Sequence, residues 1–171
     1  MSNKYSTEII NPFKSIKGDG TEAICVTTNG IVMQNGKAVM GAGIAQFVRD
    51  TFPGVDSKLG KFLSNYGNRA FNLGTQEYEG KKFRLISFPT KNDWKDKSDL
   101  SLIEKSANEL VSISDKFDLK KVYLPAPGCS HGQLKWKDVE KKLSSLDDRF
   151  TVTSLDKKTF KKETPSNGFS P

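Results

Sequence analysis

Apolar residues recur along the first part of the chain with two periods, one typical of strands and one typical of helices. The segment EAICVTT (residues 22–28) is rich in strand-forming residues and predicts a buried strand. A glycine-bearing loop follows over residues 29–41. Helical spacing begins near Ile44 and stops at Phe-Pro-Gly (52–54), and a second helix is predicted from Asp56 or Ser57 to Gly67.

The rest of the chain continues the alternation. Two strands are predicted at 70–78 and 82–88, with Glu79-Gly80 as a hairpin turn. The clearest helix runs from Ser98, its predicted capping residue, to about Phe117. The remaining predicted elements are a strand that runs into a loop (KVYLPAPG, 121–128), a last helix (136–146) and a last strand (149–155).

Strands and helices that alternate in this way are typical of an α/β protein, and they predict a three-layer α/β/α sandwich with a mixed central sheet. We expect a single domain over residues 1–156. Residues 157–171 lack periodicity and carry several lysines, so a flexible basic tail is expected there. No internal repeat is visible.

Composition bears on the cellular compartment of the protein and on the charge of its ligand more than on its reaction. No apolar stretch in the 171 residues approaches the roughly 18 that a membrane helix needs, so no membrane partner is expected. Cys25 and Cys129 are too few for a disulfide framework, which favours the cytoplasm. The net charge of +7 suits an anionic ligand or nucleic acid, although most lysine clusters are typical of a solvated surface.

Two glycine-containing loops follow predicted strands: NGIVMQNGKAVMGAGIA (29–45) and PAPGCSHGQLKW (125–136). Glycine lets a ligand approach the backbone closely, and free amides at the start of a following helix bind phosphate oxygens. Two such loops at one sheet edge predict a ligand with a diphosphate. The sequence has neither a P-loop nor a full G-x-G-x-x-G, which disfavours a P-loop triphosphatase and a dinucleotide oxidoreductase.

Several segments together resemble the macro domains, a family that binds and often processes ADP-ribose. The resemblance covers about residues 22–155, and its landmarks are Asn29, MGAGIA (40–45), FPTKNDW (88–94) with SDLSLIEKSANEL (98–110), and LPAPGCSHGQLKWKDV (124–139). Within the family the chain is most similar to DarG-type domains, which remove ADP-ribose from DNA bases, and to terminal ADP-ribose glycohydrolases.

The resemblance implies a set of ligand-binding residues. Asn29 stands where macro domains place an asparagine that binds the distal ribose; without the family it would be interpreted as a turn residue. The first phosphate loop comprises Met40, Gly41, Ala42, Gly43 and Ile44, the strand end comprises Pro89 and Thr90, and the second loop comprises Gly128, Cys129, Ser130, His131, Gly132 and Gln133.

Lys91 is the candidate catalytic residue. Family members with the FPTK strand end use the lysine at this position to attack or polarise the anomeric carbon of the ribose. Attack on carbon requires a lysine amine that is partly neutral near pH 7. A lysine in a loop is otherwise an ordinary solvated charge.

The second loop departs from its relatives in an informative way. Terminal glycohydrolases carry an aspartate where this chain has Gly132, whereas DarG-like members have glycine there, which favours a DNA-directed activity. DarG-like members have Gly-Leu where this chain has Ser130-His131. His131, the single histidine of the chain, is either a solvated surface group or a proton donor or phosphate contact.

The residue that recognises adenine is not obvious from the sequence. The usual aspartate near the first strand is missing, because Asp19 comes too late in the chain; Asn11 is a substitute.

Other chemistry-bearing residues are expected to be structural. Trp94 is expected to pack beside the long helix, with nucleobase stacking as the alternative, and Trp136 begins the apolar face of the last helix. Cys129 is expected to be a packing thiol rather than a nucleophile. The spacing of Cys, His and carboxylates suggests no metal site, and no cofactor is expected.

The expected function is hydrolysis of ADP-ribose from a conjugate, with ADP-ribosylated nucleic-acid bases, including single-stranded DNA, as the favoured substrate class. Three alternatives remain open. They are a non-catalytic ADP-ribose reader, an ADP-ribose 1″-phosphate phosphatase, and a basic module that binds nucleic-acid backbone phosphates. The protein is expected to act as a monomer.

Overall fold

A computed structural model describes residues 4–130 and 133–161, and these residues form one six-stranded sheet with helices on both faces. The strands are β1 (Ser6–Ile9), β2 (Asp19–Thr28), β3 (Phe71–Tyr78), β4 (Lys81–Pro89), β5 (Lys121–Pro125) and β6 (Phe150–Ser154). The helices are α1 (Pro12–Ser15), α2 (Gly43–Thr51), α3 (Val55–Tyr66), α4 (Leu100–Lys116) and α5 (Trp136–Val139), followed by a 3₁₀ turn at Glu140–Lys142.

The sheet order is β1-β6-β5-β2-β4-β3, and every neighbouring pair is parallel except β3 with β4. The mixed sheet predicted from the alternation of elements is thereby confirmed. The antiparallel pair is joined by the predicted Glu79-Gly80 turn, where both residues have positive φ (50° and 80°). The five other strands run in one direction, so their carboxyl ends meet at a common edge of the sheet.

Two apolar cores lie on opposite faces of the sheet, as a three-layer sandwich requires. Side chains alternate along β2: Ile24 and Val26 join the core under α1, α2 and α3, while Ala23 and Cys25 join the core under α4 and α5. Burial of β2 on both faces explains why its sequence is a continuous apolar run.

The long helix begins one residue later than the sequence predicts, and its cap is different. Asp99 Oδ1 accepts hydrogen bonds from the amides of Ser101 (2.8 Å) and Leu102 (3.2 Å), so Asp99 rather than Ser98 is the N-cap. A carboxylate at this position also stabilises the positive end of the helix dipole.

The predicted last helix over 136–146 is wrong in length. It is regular only to Val139 and continues as a 3₁₀ turn to Lys142. Leu143 and Leu146 are nevertheless buried. Serines and aspartates in the following segment compete for backbone hydrogen bonds and favour turns over helix.

Two elements near the amino terminus, β1 and α1, are missing from the sequence-based prediction, and β2 begins three residues earlier than predicted. At the other end, residues 157–160 form a turn, and the Phe160 ring meets the Trp136 ring edge-on at 4.9 Å. The rest of the predicted tail, residues 162–171, lies outside the described residues.

Candidate ligand-binding site

A cavity of about 1050 Å³ opens at the sheet edge where β2, β4, β5 and β6 end. Its floor consists of the last residues of these strands and those just after them, including Thr28, Asn29, Thr90, Pro125 and Ser154. The volume lies slightly above the roughly 300–1,000 Å³ that is usual for small-molecule sites. The site is therefore large enough for an extended ligand, at the edge of the sheet that the sequence indicates.

The first glycine loop forms one wall of this cavity. Asn29 fixes its start, because its Nδ2 donates to the Val39 carbonyl (3.0 Å) and its Oδ1 accepts from the Ile31 amide (2.9 Å). Asn29 lines the cavity while making the side-chain turn that its residue type favours. The wall then continues through Gly41, Ala42, Gly43 and Ile44.

The amino terminus of α2 lies in that wall. The helix begins at Gly43, and its N-cap residue, Ala42, has no side chain that can satisfy the first amides. Amides at such a helix start are donors for phosphate oxygens, and the helix dipole favours negative charge there. Met40, by contrast, is 2% exposed and packs in the core below α2 and α3, so its side chain supports the loop from behind.

The second glycine loop forms the opposite wall. The Ala126 amide donates to the Thr153 carbonyl (2.8 Å), and the Leu134 amide donates to the Gly128 carbonyl (2.8 Å), which closes the loop on itself. Gly128 has φ +77°, and a Cβ on it would lie 2.8 Å from Leu134 Cδ1 and 3.0 Å from Ser98 Cβ. Both the backbone conformation and the close approach therefore require glycine at position 128.

The other predicted residues of this loop are placed unevenly. Cys129 and Ser130 line the cavity together with Gly128, whereas His131 and Gly132 lie outside the described residues. Gln133 has φ +64°, and its amide donates to the Ser130 carbonyl (3.2 Å). Neither Gln133 nor Pro89 is among the described residues that line the cavity. The Pro89 carbonyl instead accepts from Ser106 Oγ (2.7 Å) on α4.

Burial in the second loop determines the chemistry of Cys129. Desolvation raises the pKa of its thiol to about 11, so the group is protonated near neutral pH. Its Sγ lies 3.6 Å from the Pro127 carbonyl. A protonated, partly buried thiol is a poor nucleophile, in agreement with a packing role.

Lys91 reaches the cavity from the end of β4, and its backbone is held from two sides. Asn68 Nδ2 donates to the Lys91 carbonyl and to Asn92 Oδ1, both at 2.9 Å, and the Gly30 amide donates to the Asn92 carbonyl (3.0 Å). The Lys91 Nζ lies 3.5 Å from the Trp94 carbonyl, a long and therefore weak hydrogen bond. These backbone hydrogen bonds fix the point from which the Lys91 side chain extends along the cavity.

The expected packing of Trp94 beside the long helix is wrong. Trp94 is 53% exposed and lines the cavity on the Lys91 side. Its ring lies beside Lys95, whose Nζ is 5.7 Å from the ring centroid. Trp136, by contrast, is partly buried and packs against the core below α4 and α5, in contact with Tyr5 and Phe160.

A third part of the cavity wall escapes the sequence analysis. It comes from the end of β1 through the start of α1, from α2 and from the chain after β6. Its residues include Ile10, Pro12, Phe13, Phe47, Leu155 and Thr159. Asn11 also lines the cavity, but its Oδ1 already accepts from the Phe13 amide (3.1 Å) as the N-cap of α1. Asn-Pro-Phe is a helix-start signal that could have placed α1 in advance.

The described residues also bear on metal binding and membrane insertion. No three His, Cys, Asp or Glu side chains among them form a group able to hold a metal ion. None of the helices between residues 4 and 161 is long and apolar enough to cross a membrane.

Comparison with known proteins agrees with this geometry. No protein-family model matches the sequence. A DNA ADP-ribosyl glycohydrolase from Mycobacterium tuberculosis is 30% identical over 128 residues, which cover 73% of this chain and 34% of the relative. The chain thus spans about a third of the length of this curated relative.

Solved structures share the fold. The macrodomain of Mycobacterium tuberculosis DarG matches with a TM-score of 0.67 at 24% identity and covers 89% of this chain and 99% of that one. The chain therefore has the macrodomain fold, as the resemblance in its motifs implies. The similarity extends to Thermosipho africanus DarTG in complex with ADP-ribose, with a TM-score of 0.68, 21% identity and coverage of 88% and 41%.

Proposed function

We propose that the protein binds ADP-ribose and hydrolyses it from conjugates, with ADP-ribosylated nucleic-acid bases as the substrate class. The observation that carries the proposal is the single cavity that brings together both glycine loops and Lys91. The name of the Mycobacterium tuberculosis relative, DNA ADP-ribosyl glycohydrolase, supports the choice of reaction and substrate.

Each wall of the cavity has a part in the proposed binding mode. Backbone amides of the two loops and of the start of α2 hold the diphosphate, since residues of both loops and of that helix start line the same cavity. Asn29 orients the distal ribose near Lys91. The third wall, with Phe13 and Phe47, supplies an apolar surface against which a flat base packs.

Lys91 acts on the anomeric carbon in the proposed reaction. Its neutral amine bonds to C1″ as the C1″–N bond to the base breaks, and the base leaves with the electron pair and takes a proton from solvent. Water then adds its hydroxyl to C1″ as the C1″–amine bond breaks, the neutral amine is released and the remaining proton of the water returns to solvent. Conjugate and water thus become ADP-ribose and free base. An amine that stabilises the developing cation without bonding to it gives the same balance, with water as the direct nucleophile.

A turnover panel tests the proposal. Wild-type protein is incubated with ADP-ribosylated single-stranded DNA, an ADP-ribosyl-glutamate protein and ADP-ribose 1″-phosphate, and products are separated by chromatography. We expect release of ADP-ribose from the DNA. Tight ADP-ribose binding without turnover on any of the three would identify a reader, and release of inorganic phosphate would identify a phosphatase.

Gly41→Ala separates ligand binding from folding. A Cβ at position 41 meets no atom within 4 Å, and the backbone there does not have the positive φ that requires glycine, so the melting temperature is expected to change by less than about 2 °C. ADP-ribose affinity is expected to fall at least roughly tenfold, because the methyl group occupies the close-approach surface of the first loop. Calorimetric titration with ADP-ribose measures it. Unchanged affinity would remove Gly41 from the proposed phosphate site.

A further inference from the structure

Trp94 lies at the mouth of the cavity and is about half exposed to solvent. It belongs to the loop that joins β4 to α4, three residues after Lys91, and 53% of the residue is exposed. It lines the same cavity as Lys91, and its carbonyl is 3.5 Å from the Lys91 Nζ. A large aromatic ring thus borders the place where the proposed reaction occurs.

The surroundings of Trp94 differ from those of a structural tryptophan. Trp136, the other tryptophan of the chain, is partly buried against the apolar core, where it meets the rings of Tyr5 at 6.3 Å and Phe160 at 4.9 Å. The Trp94 ring instead lies beside a cation, with Lys95 Nζ 5.7 Å from its centroid. An exposed ring with a lysine at one side is a surface on which a planar, electron-rich group can stack.

The position of Lys91 determines what such a group can be. If Lys91 acts on C1″, the ADP-ribose fills the cavity behind it, and whatever C1″ is attached to must extend outward past the mouth. The residues it meets there are those that follow Lys91 in the loop. Trp94 supplies the aromatic surface, Lys95 is an exposed cation beside its ring, and Lys97 is a second exposed cation of the same loop.

We propose, on the basis of the function proposed above, that Trp94 is the stacking surface for an unpaired nucleobase of a single-stranded DNA substrate next to the ADP-ribosylated base. Stacking requires a free base face, which a duplex does not offer. Asp93 and Asp96 in the same loop offset much of the lysine charge, and Asp93 Oδ1 also accepts from the Lys95 amide (3.0 Å). Ring stacking therefore contributes more to the free energy of strand binding than attraction between the lysines and the DNA phosphates.

The first experiment measures strand binding without any turnover. In a Trp136→Phe background Trp94 is the only tryptophan, so its fluorescence reports contact with an unmodified ten-nucleotide oligothymidylate. We expect quenching that saturates with the oligonucleotide. In an anisotropy assay with labelled oligonucleotide, Trp94→Ala is expected to weaken binding roughly tenfold and Trp94→Phe less than about threefold, because phenylalanine keeps a stacking face.

The second experiment compares two substrates. Trp94→Ala is expected to raise the KM for ADP-ribosylated single-stranded DNA roughly tenfold more than the KM for an ADP-ribosylated mononucleoside, which has no neighbouring base. Lys95→Gln is paired with Lys116→Gln, because Lys116 Nζ also lies 5.7 Å from an aromatic centroid (Phe117) but at the far end of α4. Only the first of these two variants is expected to reduce affinity for the strand.

The outcomes separate this inference from the proposed function. Saturable quenching without turnover on any conjugate would support the stacking surface and contradict the hydrolase. Absence of quenching, an equal KM change on both substrates, or turnover restricted to a protein conjugate would overturn the stacking proposal. Equal losses of strand affinity in Lys95→Gln and Lys116→Gln would show that only overall charge matters, and this result would also overturn the stacking proposal.

Discussion

Lys91→Ala is expected to lower the rate of ADP-ribose release from modified DNA by a factor on the order of 10²–10⁴, the range for loss of a group that takes part in bond breaking. Free ADP-ribose is expected to bind within a few-fold of wild type, because the two glycine loops and the start of α2 remain in place. Single-turnover rates with enzyme in excess, together with ADP-ribose titrations, measure the two effects separately.

Two control variants sharpen this result. Lys91→Arg keeps a positive charge but removes the amine that can become neutral, so it is expected to be as inactive as alanine if the amine bonds to carbon. Lys105→Ala removes a lysine whose Nζ lies 3.4 Å from the Asn68 carbonyl, close to the Lys91 anchor but among the described residues that do not line the cavity. It is expected to retain full turnover. A Lys91→Ala variant that releases ADP-ribose at the wild-type rate would contradict the proposed role of the lysine.

Much of the architecture could be predicted because local signals and burial agree there. The apolar run of β2, the Pro-Gly stop after α2 and Gly67 at the end of α3 each have a local physical cause that the structure retains. Both glycine loops also lie at the sheet edge where parallel strands end. These features depend on neighbours along the chain and on one general rule for α/β sheets.

The missed features depend on contacts between distant parts of the chain. β1 is four exposed residues long and is a strand because it pairs with β6, in the register Ser6 to Thr151. Its periodicity carries no burial signal, so a sequence pattern cannot reveal it. The third cavity wall has the same origin, because residues 10–13 and 155–159 come together only through that pairing. The exposure of Trp94 is likewise a property of the assembled cavity mouth.

Gly60→Ala is expected to destabilise the protein by about 2–3 kcal/mol, although helix propensity alone predicts a gain of about 1 kcal/mol for this change inside a helix. The sign reverses because α3 packs directly on the first glycine loop: a Cβ on Gly60 would overlap the Gly36 carbonyl oxygen. The Ala38 amide also donates to the Asp56 carbonyl (2.9 Å), so the loop cannot move away freely. Thermal unfolding is expected to shift down by roughly 5–10 °C.

The contact between Gly60 and the first glycine loop links the stability of the fold to the site, because this loop carries Gly41 and leads into α2. ADP-ribose affinity is therefore expected to fall together with stability in Gly60→Ala, whereas Gly41→Ala lowers affinity alone. Ser64→Ala, at an exposed position of α3, is the matched helix control and is expected to be neutral or slightly stabilising. A Gly60→Ala variant that melts higher than wild type would show that α3 does not support the loop. The position of the first glycine loop would then depend on Asn29 and the Ile31–Val39 pairing instead.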